Sequence, residues 1–291
     1  MEQKTFNADN FKCRCSTITQ LLSESRSNPT LTEKQVTRLT ELENKGILTT
    51  VQQNELTELL VKKENSTKII LSDTCIAYLM EWYSWATVKK EPVSKEVIYI
   101  QYVEKGKDVE SDSIELLSKV NGVKYTKNEE RVSNEYLTGI PDIFVGETIM
   151  TANKISDIKS AWDYPTYLKK INLPVSKSND YQIKGYMDIT DATEGEICDC
   201  LVDAPARIMK DYYDSLLRKM PVISAESPEF VKEWEIMERS MSFSDIPYKQ
   251  RVFKKKVEAF SDFDRQKLYD KVKICREWLF DFHEMFIKLN N

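Results

Sequence analysis

The sequence is poor in histidine, glycine and proline, and each shortage excludes something. Its 291 residues include one histidine, His283, with 7 glycines and 9 prolines. A single imidazole excludes zinc sites built from two or three histidines, and any Ser–His or Cys–His catalytic pair would have to use His283. Few glycines and prolines argue against a loop-rich or fibrous architecture. Because the chain has only one histidine, any metal chemistry should use oxygen ligands, which favours Mg²⁺ or Mn²⁺.

Long apolar segments are missing too. No run approaches the roughly eighteen apolar residues that a membrane-spanning helix needs, and the start, MEQKTFNADNFK, lacks the apolar stretch of a signal peptide. Hydrophobic residues make up 41% of the chain and charged residues 31%, which is typical of a soluble globular protein. We therefore expect no membrane partner.

The cysteines do not form a common metal motif. They are Cys13, Cys15, Cys75, Cys198, Cys200 and Cys275. The two C-x-C pairs lack the C-x-x-C spacing of common zinc and iron–sulfur sites, and in a strand Cys198 and Cys200 would simply share one face. We expect reduced thiols in an intracellular protein.

The charge balance is slightly acidic, with a formal net charge of −5. This excludes a protein coated in positive charge, but it permits nucleic-acid binding through a local basic patch. Residues 249–256 (KQRVFKKK) form the clearest basic stretch. A solvated surface is the alternative interpretation of that stretch.

An internal repeat marks the N-terminal region. Leu31-Thr32 recurs as Leu48-Thr49, and Gln35 recurs as Gln52. In each copy a threonine precedes a glutamine by three residues, which is the pattern of a capping box at a helix start. We therefore predict a helical hairpin, whose role is packing on the main domain, binding a partner or guiding substrate.

The remaining pattern alternates between helix and strand. We expect a helix from Ser72 to about Val88, a strand over Val97–Val103 and a helix that ends at Asn121-Gly122. Further elements follow as strands at Tyr136–Val145, Ile155–Ser160 and Glu196–Val202 and helices at Tyr181–Ile189, about Pro205 to Lys219, Pro228–Met241 and Phe260–Leu289. This order predicts an α/β core with a mixed sheet. We divide the chain into a helical hairpin region (1–66), a core (67–223) and a mainly helical C-terminal region (224–291).

Three carboxylates occupy unusual positions within this core. Asp142 follows Gly139-Ile140-Pro141 inside an apolar strand pattern, and Asp157 and Lys159 project from one face of the next strand. Glu110 borders the buried face of its helix. Converging carboxylates repel one another unless a divalent cation neutralises them. The alternatives are purely structural roles: a turn residue at Asp142, a strand salt bridge between Asp157 and Lys159, and a capping or surface role for Glu110 on its helix.

These residues resemble the PD-(D/E)XK nuclease superfamily, and in particular its phage-type, lambda-exonuclease-like branch of viral recombination enzymes. Pro141-Asp142 matches the "PD", Asp157-Ile158-Lys159 matches the "(D/E)XK", and Glu110 matches the helical glutamate. Gln182 and Tyr186 match the Q-x-x-x-Y element that follows the lysine. The resemblance covers about residues 70–220. Two departures are an aspartate at position 157, where glutamate is more usual, and a long connection over Thr148–Lys154.

The resemblance implies a restriction-endonuclease-like core, with a central mixed sheet flanked by helices and with helical N- and C-terminal additions. It further implies a DNA nuclease that uses Mg²⁺ or Mn²⁺ held by Glu110, Asp142, Asp157 and the carbonyl oxygen of Ile158. Lys159 would orient the attacking water and offset charge on phosphorus. Gln182 and Tyr186 would complete the catalytic set.

For substrate, the resemblance implies the ends of linear DNA, cut by an exonuclease in phage recombination or replication. Candidate phosphate contacts are Ser160, Lys184, Lys249, Arg251, Lys254 and Lys255. The aromatic side chains of Trp162, Tyr164 and Tyr167 are either a stacking wedge for a DNA end or part of the core. The implied partners are further copies of the chain and a single-strand annealing protein, in the cytoplasm of a bacterium or a phage-infected cell. The alternatives are an endonuclease of the same fold and a non-catalytic DNA-binding or scaffold protein.

Overall fold

The structure is a computed structural model that describes residues 6–24, 31–67, 71–90, 101–220 and 224–289. It forms two compact units. Unit 1 comprises Met1–Phe11, Thr19–Pro92 and Lys267–Asn291, and unit 2 comprises Lys12–Ile18 and Val93–Gln266. Neither unit is one continuous segment, so the units cross the predicted borders at residues 66 and 223. The described part of the chain contains no helix with the length and apolar character that crossing a bilayer requires.

The helices are α1 (Ile18–Leu21), α2 (Glu33–Glu43), α3 (Thr50–Thr67), α4 (Asp73–Val88), α5 (Gln101–Asp108), α6 (Glu110–Asn121), α7 (Tyr164–Asn172), α8 (Lys177–Thr190), α9 (Ala206–Lys219), α10 (Pro228–Met241) and α11 (Asp262–Leu289). The strands are β1 (Cys13–Arg14), β2 (Thr126–Lys127), β3 (Val132–Ser133), β4 (Leu137–Gly139), β5 (Ile143–Val145), β6 (Lys154–Ser160), β7 (Glu194–Cys200) and β8 (Val252–Val257).

Unit 2 is built around a five-stranded sheet with the order β2-β5-β6-β7-β8. Strands β6 and β7 are parallel, while the other neighbours run antiparallel. A smaller sheet has the order β1-β4-β3. The predicted α/β core with a mixed sheet is therefore confirmed.

Helices cover both faces of the large sheet. On one face, Ile158, Cys198 and Cys200 pack with Leu117 of α6. On the other face, Gly195 lies so close to Ile183 and Met187 of α8 that a methyl group there would meet their atoms at about 2.5 Å. Strands β6 and β7 are consequently buried on both sides, which is typical of parallel neighbours in α/β proteins.

Most predicted elements lie where the pattern indicated. Ser72 caps α4 by accepting a hydrogen bond from the Cys75 amide, and Gly122 ends α6 with a φ of +65°, in the left-handed region that glycine adopts without strain. The strand predicted over Val97–Val103 is wrong for residues 101–103, which begin α5, and residues 97–100 lie outside the described residues.

One predicted strand is divided in two, and one strand was not predicted. The predicted strand Tyr136–Val145 is two strands, β4 and β5, in different sheets. Pro141 lies between them, and proline has no amide hydrogen to continue a ladder. The basic stretch 249–256 contributes most of β8, an edge strand of the large sheet, so the region after residue 224 is not purely helical.

The predicted helical hairpin of α2 and α3 is confirmed within unit 1. Thr32 and Gln35 form the first capping box, and Thr49 and Gln52 form the second. Leu39, Leu42 and Leu59 form its buried core, with Leu31, Leu48 and Leu56 packed against them. The repeat makes the hairpin nearly two-fold symmetric, since Lys62 donates to Gln35 as Lys45 donates to Gln52.

Candidate active site

Strands β5 and β6 place two of the predicted carboxylates side by side. The antiparallel register pairs Ile143 with Ser156, so the next pair along is Asp142 and Asp157. Asn128 holds the Pro141-Asp142 segment before β5. Its side-chain amide donates to the Pro141 carbonyl at 3.0 Å, and its backbone amide donates to the Asp142 carbonyl at 2.9 Å. The chain therefore presents Asp142 next to the middle of β6.

Asp157 is buried, with 1% of its surface exposed, and it contacts two predicted site residues. Its Oδ1 accepts a hydrogen bond from Gln182 Nε2 at 3.1 Å, and its Oδ2 lies 2.7 Å from Lys159 Nζ. The ion pair with Lys159 lacks hydrogen-bond geometry, so Asp157 Oδ2 is a buried oxygen without a hydrogen-bond partner among the described residues. The Lys159 ammonium therefore compensates this buried oxygen mainly through its charge.

Asp142 shares the effects of burial. Its Oδ2 accepts a hydrogen bond from the Ile158 amide at 3.0 Å. Burial, and next the charge of Asp157, raise the pKa of Asp142 to about 7, although Lys159 and the Ile158 amide act in the opposite direction. Two neighbouring buried carboxylates resist being charged together, because each raises the free-energy cost of ionising the other.

Lys159 is the positive group of this cluster. Burial lowers the pKa of Lys159, but Asp157 and then Asp142 outweigh burial and raise it above its ordinary value. The side chain remains one-third exposed, at 33%. A charged, partly accessible ammonium group beside two carboxylates can therefore reach a substrate while it is held in place.

Gln182 and Tyr186 act as one unit on α8. Gln182 Nε2 donates to the Tyr186 hydroxyl at 2.9 Å as well as to Asp157. The Tyr186 ring packs on Gly139, where an added Cβ would lie 2.6 Å from the ring. The glycine of the G-I-P-D motif thus makes room for the tyrosine of the Q-x-x-x-Y motif, and the tyrosine orients the glutamine that binds Asp157.

The described contacts of Glu110 do not include Asp142, Asp157 or Lys159. Glu110 is the first residue of α6, where its Oε2 accepts a hydrogen bond from Lys127 Nζ at 3.1 Å. Within the described ranges, no three side chains of the His, Cys, Asp and Glu types are placed to hold a metal ion. The structure thus places Asp142 and Asp157 side by side, and the role of Glu110 as a third carboxylate stays a prediction. Lys127 was missed by sequence reasoning, since a lysine on a two-residue strand carries no motif.

Asp142 and Asp157 nevertheless fit a hard divalent cation. Their oxygens are the donor type that Mg²⁺ and Mn²⁺ prefer, and one of them is buried without a hydrogen-bond partner among the residues described. Their mutual repulsion would be relieved by a cation. Cysteine and histidine take no part, in keeping with a site made of oxygen ligands.

The predicted phosphate contacts divide into two groups. Four of them bind within the protein: Ser160 to Ser113, Lys184 to Asp180, Lys254 to Asn121, and Lys255 to the carbonyls of Lys170 and Leu173 at the end of α7. Ser160 and Lys254 also lie on the sheet face opposite Lys159, because side chains alternate along a strand. Lys249 is exposed, and Arg251 Nε is buried without a hydrogen-bond partner among the described residues.

The three aromatic residues after β6 also differ from one another. Tyr167 is a core residue, 1% exposed, and its hydroxyl donates to the Gln250 carbonyl at 2.9 Å. Trp162 is half-buried and lies 6.0 Å from Tyr212 between ring centroids. Tyr164 is exposed at 40%. A stacking role is therefore ruled out by burial for Tyr167 and stays open for the other two.

Comparison with known proteins places this geometry in context. No protein-family model matches the chain, and a search of curated proteins also gives no match. Among solved structures, a phage-related exonuclease from Haemophilus somnus 129PT is 20% identical, and the match covers 97% of each chain with a TM-score of 0.54. An alkaline exonuclease from Laribacter hongkongensis is 10% identical, and that match covers 96% of this chain and 93% of the other with a TM-score of 0.53.

At such low identity the likeness shows a shared fold. It extends over nearly the whole length of both chains, so it includes the helical N- and C-terminal additions as well as the sheet. The resemblance to phage-type exonucleases that the motifs indicated is thereby confirmed for the fold.

Proposed function

We propose that this protein is a metal-dependent DNA nuclease that removes nucleotides from the ends of linear DNA. The observation that carries the proposal is the group formed by Asp142, Asp157 and Lys159, with Gln182 holding Asp157. Two exonucleases that share the fold over nearly their full length support the same activity. The phage recombination or replication context is part of the proposal.

The proposed metal ligands are Asp142, Asp157 and the Ile158 carbonyl, with Glu110 exchanging its partner Lys127 for the metal. Mg²⁺ or Mn²⁺ at these oxygens would supply positive charge that stabilises the negative charge developing on the scissile phosphate. The protein's own residues keep the two aspartates adjacent and exclude water from the buried side of Asp157.

Lys159 has a separate role in this proposal. Its ammonium group remains charged at neutral pH, because Asp157 and Asp142 raise its pKa against the effect of burial. It can orient the attacking water and stabilise charge on a nonbridging phosphate oxygen. Gln182, held by Tyr186, keeps Asp157 in the orientation that leaves Oδ2 facing Lys159.

DNA would be held by groups that the fold leaves available. Lys249, Arg251, Trp162 and Tyr164 are the predicted contacts that are not core residues and for whose side chains the described structure gives no internal hydrogen bond or ion pair. A homo-oligomer, a single-strand annealing partner and a cytoplasmic location stay predictions of the family resemblance.

The test compares linear duplex DNA with covalently closed circular DNA in the presence of Mg²⁺. We expect mononucleotides to be released from the linear substrate, the circle to stay intact, and EDTA to abolish the reaction. Discrete cuts within the circle would identify an endonuclease instead. Binding of both substrates without any cleavage would identify the non-catalytic alternative.

A further inference from the structure

Lys105 is a buried lysine to which the proposed chemistry assigns no role. It lies on α5 and is 1% exposed. Its Nζ donates to the Trp162 carbonyl at 2.8 Å and to the Ala161 carbonyl at 3.1 Å. The ammonium group also lies over two rings, 5.8 Å from the centroid of Trp162 and 5.3 Å from that of Phe243.

Burying the charged ammonium group of Lys105 is energetically unfavourable. The ion pairs of the described residues include none with Lys105, and the nearest opposing charges, Asp203 and Asp163, act only at longer range. Burial lowers the pKa of Lys105 to about 8, and the two aspartates offset this only in part. A methionine would fill similar space without the penalty of burying a charge. The cation therefore calls for a reason beyond packing.

The position of the two carbonyls that Lys105 binds suggests why a cation is buried there. Ala161 and Trp162 are the residues that follow β6, the strand of Asp157 and Lys159. A second link joins the same segment to α6, because Ser113 Oγ and Ser160 Oγ lie 2.9 Å apart. Glu110 lies between Lys105 and Ser113 in sequence. Both links flanking Glu110 thus end on residues 160–162.

We propose that Lys105 is a positioning residue, which together with the Ser113–Ser160 bond clamps the end of β6 to α5 and to α6, the helix that begins at Glu110. Charge-assisted hydrogen bonds from one ammonium to two successive carbonyls fix that segment more strictly than apolar packing would. The clamp sets where Glu110 stands relative to Asp157 and Lys159. This inference rests on the proposed nuclease function.

The decisive variant is Lys105→Met, with Lys107→Met as the matched control. Lys107 lies on the same helix, is exposed, and pairs only with Glu104 in the described structure. Displacing catalytic groups by a fraction of an ångström costs about tenfold to a hundredfold in rate, so we expect kcat of K105M to fall by that factor with KM for DNA unchanged. K107M should match the wild type, and Lys105→Arg should recover part of the loss.

A second readout does not depend on cleavage. Mn²⁺ affinity of the protein without DNA, measured by electron paramagnetic resonance, should weaken by about tenfold in K105M if metal ligands move apart. Wild-type kcat and wild-type Mn²⁺ affinity in K105M would overturn the clamp. If K105M fails to fold, Ser160→Ala removes the other link, and unchanged Mn²⁺ affinity and kcat in S160A would overturn it equally.

The two proposals fail in distinguishable ways. A wild-type protein that binds Mn²⁺ but cleaves no DNA contradicts the proposed function, while the Mn²⁺ titrations of K105M and S160A still test the clamp. A wild-type protein that degrades linear DNA, with K105M equal to it in both readouts, contradicts only the clamp.

Discussion

Strand β6 carries two lysine–carboxylate pairs, one on each face of the sheet. Lys154 lies 3.1 Å from Glu196, and Lys159 lies 2.7 Å from Asp157. Both carboxylates are buried, at 3% and 1% exposure, and both lysines are partly accessible. By composition and burial the two pairs look equivalent.

Their hydrogen bonds are not equivalent. Glu196 Oε1 accepts from the Tyr125 hydroxyl at 3.1 Å, from Ser156 Oγ at 3.0 Å and from Cys198 Sγ at 3.6 Å. Asp157 accepts one hydrogen bond, from Gln182, and its Oδ2 has none from the described residues. A buried carboxylate surrounded by neutral donors serves the fold, whereas one that relies on a lysine charge and lies beside a second carboxylate is typical of a site that receives a ligand.

The largest expected effect separates the two lysines. Lys159→Ala should lower kcat by about a hundredfold to a thousandfold, because it removes the cation that stabilises developing charge, while metal and DNA still bind. Lys154→Ala removes the matching lysine on the opposite face and should keep the wild-type rate, because Glu196 retains three other donors. Single-turnover cleavage of linear DNA measures both. Full cleavage by K159A, or an equal loss in K154A, would contradict the comparison.

The next effect concerns metal affinity. Asp142→Asn should weaken Mn²⁺ binding by at least about tenfold, because an amide carries no charge to compensate the cation. Glu196→Gln makes the same chemical change on the other face and should leave Mn²⁺ affinity unaltered. Calorimetric titration of both variants with Mn²⁺ checks this. Equal affinities would remove Asp142 from the proposed ligand set.

A measurement of unfolding free energy tests whether Glu196 has a structural role. Glu196→Gln should lower the free energy of unfolding by about 1–3 kcal/mol, because a neutral amide accepts weaker hydrogen bonds than a carboxylate and leaves Lys154 with only the longer ion pair to Glu194, at 3.6 Å. Urea unfolding at neutral pH measures this loss. Activity well below the melting temperature should persist. If E196Q unfolds like the wild type but loses cleavage, Glu196 belongs to the functional set after all.

The last expected effect is a pH dependence that Asp142 contributes to metal-free protein. In the unfolded chain its carboxyl ionises near 3.8, whereas the folded state keeps the proton until about pH 7. Folded protein thus binds more protons between these values, so stability from this group falls as pH rises through the window and is level above it.

Comparison of the wild type with Asp142→Asn tests whether the stability contributed by Asp142 falls or rises with pH. In EDTA, the unfolding free energy of wild type minus that of Asp142→Asn should decrease between about pH 4 and pH 7, the window set by the raised pKa of Asp142. The raised pKa is the net result of burial and the charge of Asp157 acting against Lys159 and the Ile158 amide. A difference that rises with pH would mean that the Asp142 pKa is lowered in the folded state.

Local signals in the sequence were reliable where a short stretch decides the outcome. Capping boxes at Thr32 and Thr49, the cap at Ser72 and the helix end at Gly122 all depend on hydrogen bonds or backbone conformations within a few residues. Strand alternation placed Asp157 and Lys159 on one face. The same alternation puts Ser160 on the other face, so its predicted phosphate contact could have been rejected from sequence alone.

Long-range partners were not predictable in this way. The stretch with Lys254 and Lys255 read as a basic surface, yet it pairs with β7 as an edge strand, where lysines also discourage further pairing. Lys255 caps the end of α7, although 82 residues separate it from Leu173. The Lys105 clamp joins residues 56 and 57 positions apart and carries no motif.

The sequence by itself determined the order of the chemical groups: a glutamate at a helix start, G-I-P-D, D-I-K and Q-x-x-x-Y, spaced so that neighbouring strands and a covering helix could bring them together. Tertiary structure decided which of them meet. The register of β5 and β6 brings together Asp142, Asp157 and Lys159. The space left at Gly139 admits the Tyr186 ring, which orients Gln182 towards Asp157. Glu110 pairs with Lys127 of the neighbouring strand, and only the folded arrangement of β2 and α6 brings those two charges within 3.1 Å.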